Sequence, residues 1–288
     1  MRAVKTRSVQ ETRKPADVDI PATSRKDMEG VYGLWDELDE YPPEETDEAL
    51  AHLGKGLQTL LKADNVRWLG AVRVLRGANA KRDGLLGWRL RASYNLVPDP
   101  PSYQKLIAWW FQRSKEIDSD FQIGLATHAV VAGAGRFRTH RMRDGWIPFG
   151  EFRRSEHYKL HYTELGITDR MWVSFPLNND TESVFLIDRT GPSPHFSKRD
   201  AGLAAAALRG MRRFHRRLFL SRGLLIGDSP LSPVSRRIVQ KLLTGLAEKE
   251  IAFSLGQSTS TTHKYITAIY EKFGVNGRAA LMALWLGA

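Results

Sequence analysis

The chain has 288 residues, 42% of them hydrophobic, and a formal net charge of +11. That leaves room for two domains with a sizeable core and suits a polyanionic partner, nucleic acid or an anionic membrane surface. There is no cysteine, which excludes disulfides, thiol nucleophiles, thiolate zinc sites and iron–sulfur clusters.

Residues 1–22 carry Arg2, Lys5, Arg7, Arg13 and Lys14 against one early acid, Glu11. With few large apolar side chains this reads as a disordered basic arm, either a solvated tail or an accessory contact to DNA. No apolar run approaches the ~18 residues of a membrane helix, and the N-terminus lacks the apolar stretch of a signal peptide. A soluble, cytoplasmic protein without membrane contact is expected.

A larger domain is expected over 23–222. Between Asp27 and Ala63 the pattern is helical, with Leu50, Leu53, Leu57, Leu60 and Leu61 at spacings of three and four. The period then changes to two. "NVRWLGAVRVL" alternates Val66, Trp68, Gly70, Val72 and Val74, and "LLGWRLRASY" repeats the pattern after a polar turn at Asn79 to Gly84, which predicts an antiparallel hairpin. A helix is predicted around Tyr103 to Glu116. "RMWVSFPLNNDTESVFLID" reads as two strands joined by "NNDT".

After Pro192 and Pro194 one long helix is predicted. Leu203, Ala207, Met211, Phe214 and Leu218 share one side, and Arg209, Arg212, Arg213, Arg216 and Arg217 the other. Six arginines and no acid between Arg209 and Arg222 form a basic stripe, either a solvated docking or dimerising face or a contact to DNA or an acidic partner. "GLLIGDSP", residues 223–230, reads as a short linker.

The last segment, 231–288, is the most sharply punctuated. Ser232 is an N-cap with Pro233 at the first helical position, where the missing N–H costs nothing. A second short helix buries Ile251, Ala252 and Leu255 and ends at Gly256, and a Ser/Thr cluster caps a third. Two short helices joined by a tight glycine turn are a helix-turn-helix signature. In the third helix Thr262, Ile266, Ile269 and Phe273 face inward. Ser260, His263, Lys264, Thr267 and Glu271 face out, short polar side chains suited to base edges in a major groove. The helix N-terminus offers free N–H groups to a phosphate.

"LSPVSRRIVQKLLTGLAEKEIAFSLGQSTSTTHKYITAIYEKFGVNGRAALMALWL" resembles the C-terminal DNA-binding domain of the LuxR family of bacterial transcription regulators. Leu231, Ser232 and Pro233, the run Lys249, Glu250, Ile251, Ala252, then Thr261, and the closing Lys272, Phe273, Gly274, Val275 with Arg278 match that family's pattern in order and spacing. The resemblance implies base readout by His263, Lys264 and Thr267. It also implies backbone contacts by Lys249, Thr261 and Lys272, and dimerisation of a homodimer on double-stranded DNA through Leu281 and Leu284. Three positions depart from the pattern: the family usually has Lys at His263, His at Tyr265 and an acid at Ser235. A changed base-contact side chain alters the sequence read or weakens binding by about 1 to 3 kcal/mol.

The element order of the larger domain resembles a GAF- or PAS-like sensory domain, so the whole is expected to be α+β: an antiparallel sheet with helices, followed by an all-α helix-turn-helix domain of four helices. Autoinducer-binding relatives carry a Trp, a Tyr four residues later and an Asp-Pro pair. Here Trp88, Tyr94, Asp99 and Pro100 occur in that order, but with Trp and Tyr six apart. Seven of the eight tryptophans precede the C-terminal segment. Trp68, Trp88, Trp109, Trp110 and Trp172, with Tyr94, are either the lining of a pocket for a small organic ligand or ordinary core and interface residues. The acidic series of a receiver-type phosphorylation domain is not present in the first 130 residues.

Enzyme signals are weak. His157 and His161 stand four apart, and His128 and His140 are the nearest further histidines, but no H-E-x-x-H motif accompanies them. In "VVAGAGRFR" Arg138 occupies the third glycine of a dinucleotide fingerprint. No catalytic residue, cofactor or metal is predicted. The alternatives are a regulator whose larger domain is a scaffold only, and an enzyme with an accessory DNA-binding tail.

Overall fold

The computed structural model describes residues 24–105, 108, 124–225 and 229–287. The predicted arm lies outside them, as does most of the helix expected at Tyr103 to Glu116, with Trp109 and Trp110.

The expected helical stretch at Asp27 to Ala63 is two helices. α1 (Arg25–Asp39) starts at Ser24, whose hydroxyl accepts from the Asp27 N–H, and α2 is Thr46–Leu61. Tyr41, Pro42 and Pro43 separate them, since proline supplies no N–H to continue a ladder. α2 buries Leu50, Leu53, Leu57 and Leu61.

β1 (Asn65–Arg73) pairs antiparallel with β2 (Trp88–Asn95), with a bulge at Gly70/Ala71. Their connection contains a short helix, α3 (Gly77–Arg82), where a simple turn was expected. α4 (Leu125–Ala132), β3 (Arg138–Arg141) and α5 (Phe149–Arg154) follow. A helical turn, α6 (Glu156–Tyr158), then continues as a π-helical turn, Lys159–Thr163. β4 (Ile167–Asn178) and β5 (Thr181–Thr190) form the hairpin predicted at "NNDT". The sheet has five strands in the order β2-β1-β5-β4-β3, and every pairing is antiparallel.

Strand alternation sends side chains to two cores. On one face Val66, Trp68, Val72, Met171, Val173, Phe175, Phe185 and Ile187 meet α1, α2 and the helices after β5. On the other, Trp172, Val184 and Leu186 meet Ala126, Met142, Ile147, Phe152 and Tyr162. The chain is therefore α+β, a sheet between two helical layers, followed by a helical C-terminus.

The long helix predicted after Pro194 is broken. α7 (Lys198–Arg209), opened by a Ser197–Asp200 capping box, is followed at Gly210 and Met211 by α8 (Arg212–Leu220). Trp35 causes the break: its indole N–H donates to the Ala207 carbonyl at 2.8 Å. A Cβ at residue 210 would also stand 2.5 Å from the indole ring. The inward face Leu203, Ala207, Met211, Phe214 and Leu218 is buried as the wheel predicts. His215, counted on neither face, is fully buried.

The C-terminal helices are α9 (Pro233–Leu243), α10 (Glu248–Ser254), α11 (Thr259–Phe273) and α12 (Arg278–Leu286). They enclose a core of Leu231, Ile238, Val239, Leu242, Ile251, Ile266, Ile269, Phe273, Leu281 and Trp285, which Leu220 of α8 joins. This head is docked on the larger part. Asp47 of α2 receives both Arg222, at 2.6 Å, and Arg236 of α9, and Arg216 donates to the Leu284 carbonyl at 3.2 Å.

Candidate functional site

α10 and α11 are set by local chemistry. Ser258 caps α11, its hydroxyl accepting from the Thr261 N–H at 3.1 Å, and the helix ends at Gly274 in the left-handed conformation. Thr262, Ile266, Ile269 and Phe273 face the head's core. Ser260, Thr261, His263, Lys264, Thr267 and Glu271 are exposed on the opposite side. The ammonium of Lys264 and the hydroxyl of Ser260 have no protein partner among the described residues. His263 Nδ1 lies 3.0 Å from Glu248 on α10, Thr267 donates to the His263 carbonyl at 3.0 Å, and Lys249 is exposed beside them on α10.

Three residues singled out in the sequence sit differently from expectation. Lys272 is half-buried, and its ammonium donates to the Ser229 carbonyl at 2.7 Å, so it anchors the chain entering the head rather than standing free for a phosphate. Leu281 is 0% exposed in the head's own core. In the single chain it therefore offers no free surface to the dimerisation role expected of it. Leu284 is half-buried, packed against the same core, while its carbonyl takes Arg216. The exposed apolar residues of α12 are Met282 and Leu286.

The basic stripe is only partly free. Arg217 donates to the Tyr41 and Pro42 carbonyls, the latter at 2.7 Å. Arg212 donates to the Leu177 carbonyl, Arg209 lies over the Phe137 ring, and Arg222 is buried against Trp68. Burial lowers the Arg222 pKa to about 10 despite the opposing pull of Asp47.

A second candidate site lies on the other face of the sheet, a cavity of about 280 Å³. Trp88 and Trp172 line it, with Leu69, Val130 and Leu186; Tyr94 borders it, but stands opposite Trp68 in the ladder and packs with it on the helical core. Trp68 does not line it: it points to the opposite face, fully buried, edge-on to Phe219, its indole N–H donating to Ser183 at 2.8 Å. Ser183 also meets His215 Nδ1 at 2.8 Å, and His215 Nε2 meets the Leu208 carbonyl at 2.9 Å. Burial holds that imidazole neutral, with its pKa lowered to about 4.

Sequence reasoning missed the polar end of the cavity. Arg67 meets Asp99 at 2.7 and 2.9 Å, and Arg170 meets Asp188 at 2.5 and 2.8 Å. Burial opposes the charge of Arg170, but Asp188 outweighs it and raises the pKa. Asn95 donates to the same Asp99 at 2.6 Å, so that carboxylate is already occupied. His157 and His161, read as a weak metal pair, are brought together with ring centroids 4.5 Å apart, and both line the cavity. The Tyr103 hydroxyl sits 2.7 Å from His161 Nδ1. Burial pushes the Tyr103 pKa up to about 12 and lowers His157 to about 3 and His161 to about 4. Among the described residues no cluster of three His, Cys, Asp or Glu is placed to hold a metal. His140 stacks on Trp146 instead. The signal for the cavity was present in the sequence as arginines on alternating strand positions, Arg67 and Arg170, which a half-buried strand carries only when they are paired.

Residues 229–285 match the family described as bacterial regulatory proteins, luxR family. The C-terminal head is a LuxR-family helix-turn-helix domain. The chain is also similar to the probable HTH-type transcriptional regulator GfsR of Streptomyces halstedii, 39% identical over 65 residues. That alignment covers 21% of this chain and spans 27% of the length of the curated relative. Among solved structures, SdiA in complex with octanoyl-rac-glycerol shares 12% identity at a TM-score of 0.42, over 91% of this chain and 95% of that one. The VqsR LBD domain from Pseudomonas aeruginosa shares 14% at a TM-score of 0.37, over 67% of this chain and 96% of that one. Neither likeness is close enough to carry a function. Of the departures within the LuxR-type head, His263 is exposed, Tyr265 is half-buried against the head's core, and the Ser235 hydroxyl lies 2.9 Å from that of the Ser232 cap.

Proposed function

We propose that this protein is a cytoplasmic transcription regulator in which residues 231–288 read double-stranded DNA as half of a homodimer. In this reading residues 23–222 form a GAF/PAS-like sensor for a small organic molecule, joined to the head by a linker at 223–230, and the protein performs no catalysis. The observation that carries it is the two-sidedness of α11. Its buried side is the head's core, and its exposed side, Ser260, His263, Lys264 and Thr267, has the size and polarity to enter a major groove. Lys249 on α10 and the N–H groups of the first turn of α11 supply phosphate contacts. The Lys264 ammonium, exposed and unpaired, is suited to guanine O6 and N7.

The cavity supports the sensor half. It is concave, mainly apolar and flanked by aromatic side chains with a few convergent polar groups, the arrangement of a small-molecule site. Trp88 and Trp172 would contact the ligand, while Tyr94, expected with them, packs on the helical core. The prior occupation of Asp99 by Arg67 and Asn95 disfavours a homoserine lactone held through that carboxylate. α8 supports a route between the halves, because Phe214 and Leu218 sit in the sensor core and Leu220 in the head's.

The test is binding of the full-length chain to DNA against salt concentration, for wild type and the double variant Lys264→Ala, Thr267→Ala. Wild-type affinity should fall steeply as salt rises, since phosphate contacts release counterions. The variant should lose specific binding by about 2 to 5 kcal/mol while keeping its fold, because both side chains are exposed. Salt-insensitive DNA binding, or unchanged specificity in the variant, overturns this reading.

A further inference from the structure

The lining of the cavity says which ligands it rejects. Among the described residues each ionised group in it is already paired: Arg67 with Asp99, Arg170 with Asp188, and Arg89 with Asp83 at 2.7 Å. Three guanidiniums meet three carboxylates inside a low-dielectric site, so an anionic or cationic ligand would shed its hydration and find no free counter-charge among the described residues. The apolar remainder, Leu69, Ala71, Leu90, Val130, Val131 and Leu186, favours hydrocarbon.

Of the lining groups without a hydrogen-bond partner among the described residues, two bear on ligand choice. The Trp88 indole N–H is buried with no acceptor, and neither ring nitrogen of His157 has a hydrogen-bond partner among the described residues. The His157 ring is held in place on several sides. It lies against His161, whose own Nδ1 is taken by Tyr103, and tilts against Phe152 at 6.2 Å between centroids. It is also pressed onto the backbone of Gly124, where a Cβ would stand 2.3 Å from the ring. Only glycine admits the imidazole there. Burial first, then His161 and Arg170, keep the ring neutral near pH 7, and a neutral imidazole has one nitrogen with a free lone pair.

We propose that the cavity takes an uncharged, largely apolar ligand bearing a hydroxyl or N–H hydrogen-bond donor, and that the unpartnered imidazole of His157 receives that donor. This rests on the sensor reading of the cavity. His157 thereby selects among apolar ligands, since a buried acceptor left unmatched penalises a ligand that cannot donate.

Three probes of equal chain length separate the elements of the proposal: n-nonanol, its isomer n-octyl methyl ether, which accepts but cannot donate, and the nonanoate anion. Each is titrated calorimetrically into the full-length protein near neutral pH, into wild type and into His157→Phe, whose ring keeps the packing on Gly124. The alcohol should bind one per chain, the ether about tenfold more weakly or worse, and nonanoate not at all. In His157→Phe the alcohol and ether should come within about twofold of each other. Equal binding of alcohol and ether to wild type, tighter binding of nonanoate, or an undiminished preference for the alcohol in His157→Phe each overturns the inference while leaving a ligand-binding cavity in place. Binding of none of the three to wild type overturns the sensor reading along with it.

Discussion

Asp47 pairs with Arg222 within the larger part and with Arg236 of the head, and removing its carboxylate tests both contacts at once. It receives Arg222 at 2.6 Å and also Arg236 of the head. Arg222 is only 5% exposed, and a buried guanidinium stripped of its counter-charge costs about 3 to 5 kcal/mol. Two features reduce this. Asp47 itself is partly exposed, and Arg222 keeps its bonds to the Leu218 carbonyl and Ser221 at 3.0 Å, together with the Trp68 ring 4.6 Å away, worth about 1 to 2 kcal/mol. The net cost expected for Asp47→Ala is about 2 kcal/mol, read by urea denaturation. The Asp47–Arg236 pair, nearer the surface, should contribute under about 1 kcal/mol. A double-mutant cycle separates the two, with coupling larger for Asp47 and Arg222 than for Asp47 and Arg236. Stability within about 0.5 kcal/mol of wild type, or a larger coupling to Arg236, would refute the reasoning.

Acid should destabilise the fold well above the carboxylate range. His215 stays neutral when folded, its pKa lowered to about 4, while an unfolded histidine takes up a proton below about 6.5. The stability it contributes is present above that value and lost as pH falls toward 4, at up to about 1.4 kcal/mol per pH unit. His157 and His161 act in the same direction, and a denaturation midpoint unchanged between pH 7 and pH 5 (~2 units apart) would contradict this. Gly210→Ala should cost about 1 to 3 kcal/mol, because the new methyl stands 2.5 Å from the Trp35 ring and endangers the Trp35–Ala207 bond. A thermal scan of that variant matching wild type would show that the α7–α8 break does not depend on Trp35.

Local chemistry made much of the architecture legible. "NNDT" marked the β4–β5 hairpin because turn residues interrupt two runs of β-formers, and Ser232 with Pro233 marked the start of α9 because capping is a property of adjacent residues. What was missed depended on distant partners. The break at Gly210 comes from Trp35, 172 residues before the carbonyl it binds, and no wheel drawn on α7 and α8 contains that indole. Alternation put Trp68 and Trp172 each on a face of its strand, but not on which: Trp68 went to the helical core and Trp172 to the cavity. The polar end of the cavity gathers Arg67, Asp99, Arg170 and Asp188 from separate elements, so its pairing emerged only with the sheet register. Leu281 had the apolar character of an interface residue and is core instead, since hydrophobicity does not say which surface covers a side chain.

Selection of bound sequences from a randomised DNA pool by the full-length protein tests the central claim most directly. The account predicts enrichment of a two-fold symmetric site whose half-sites are about one helical turn apart, with the preferred bases relaxed in Lys264→Ala. A pool that stays random after selection, or an enriched site that Lys264→Ala and Thr267→Ala leave unchanged, would contradict it.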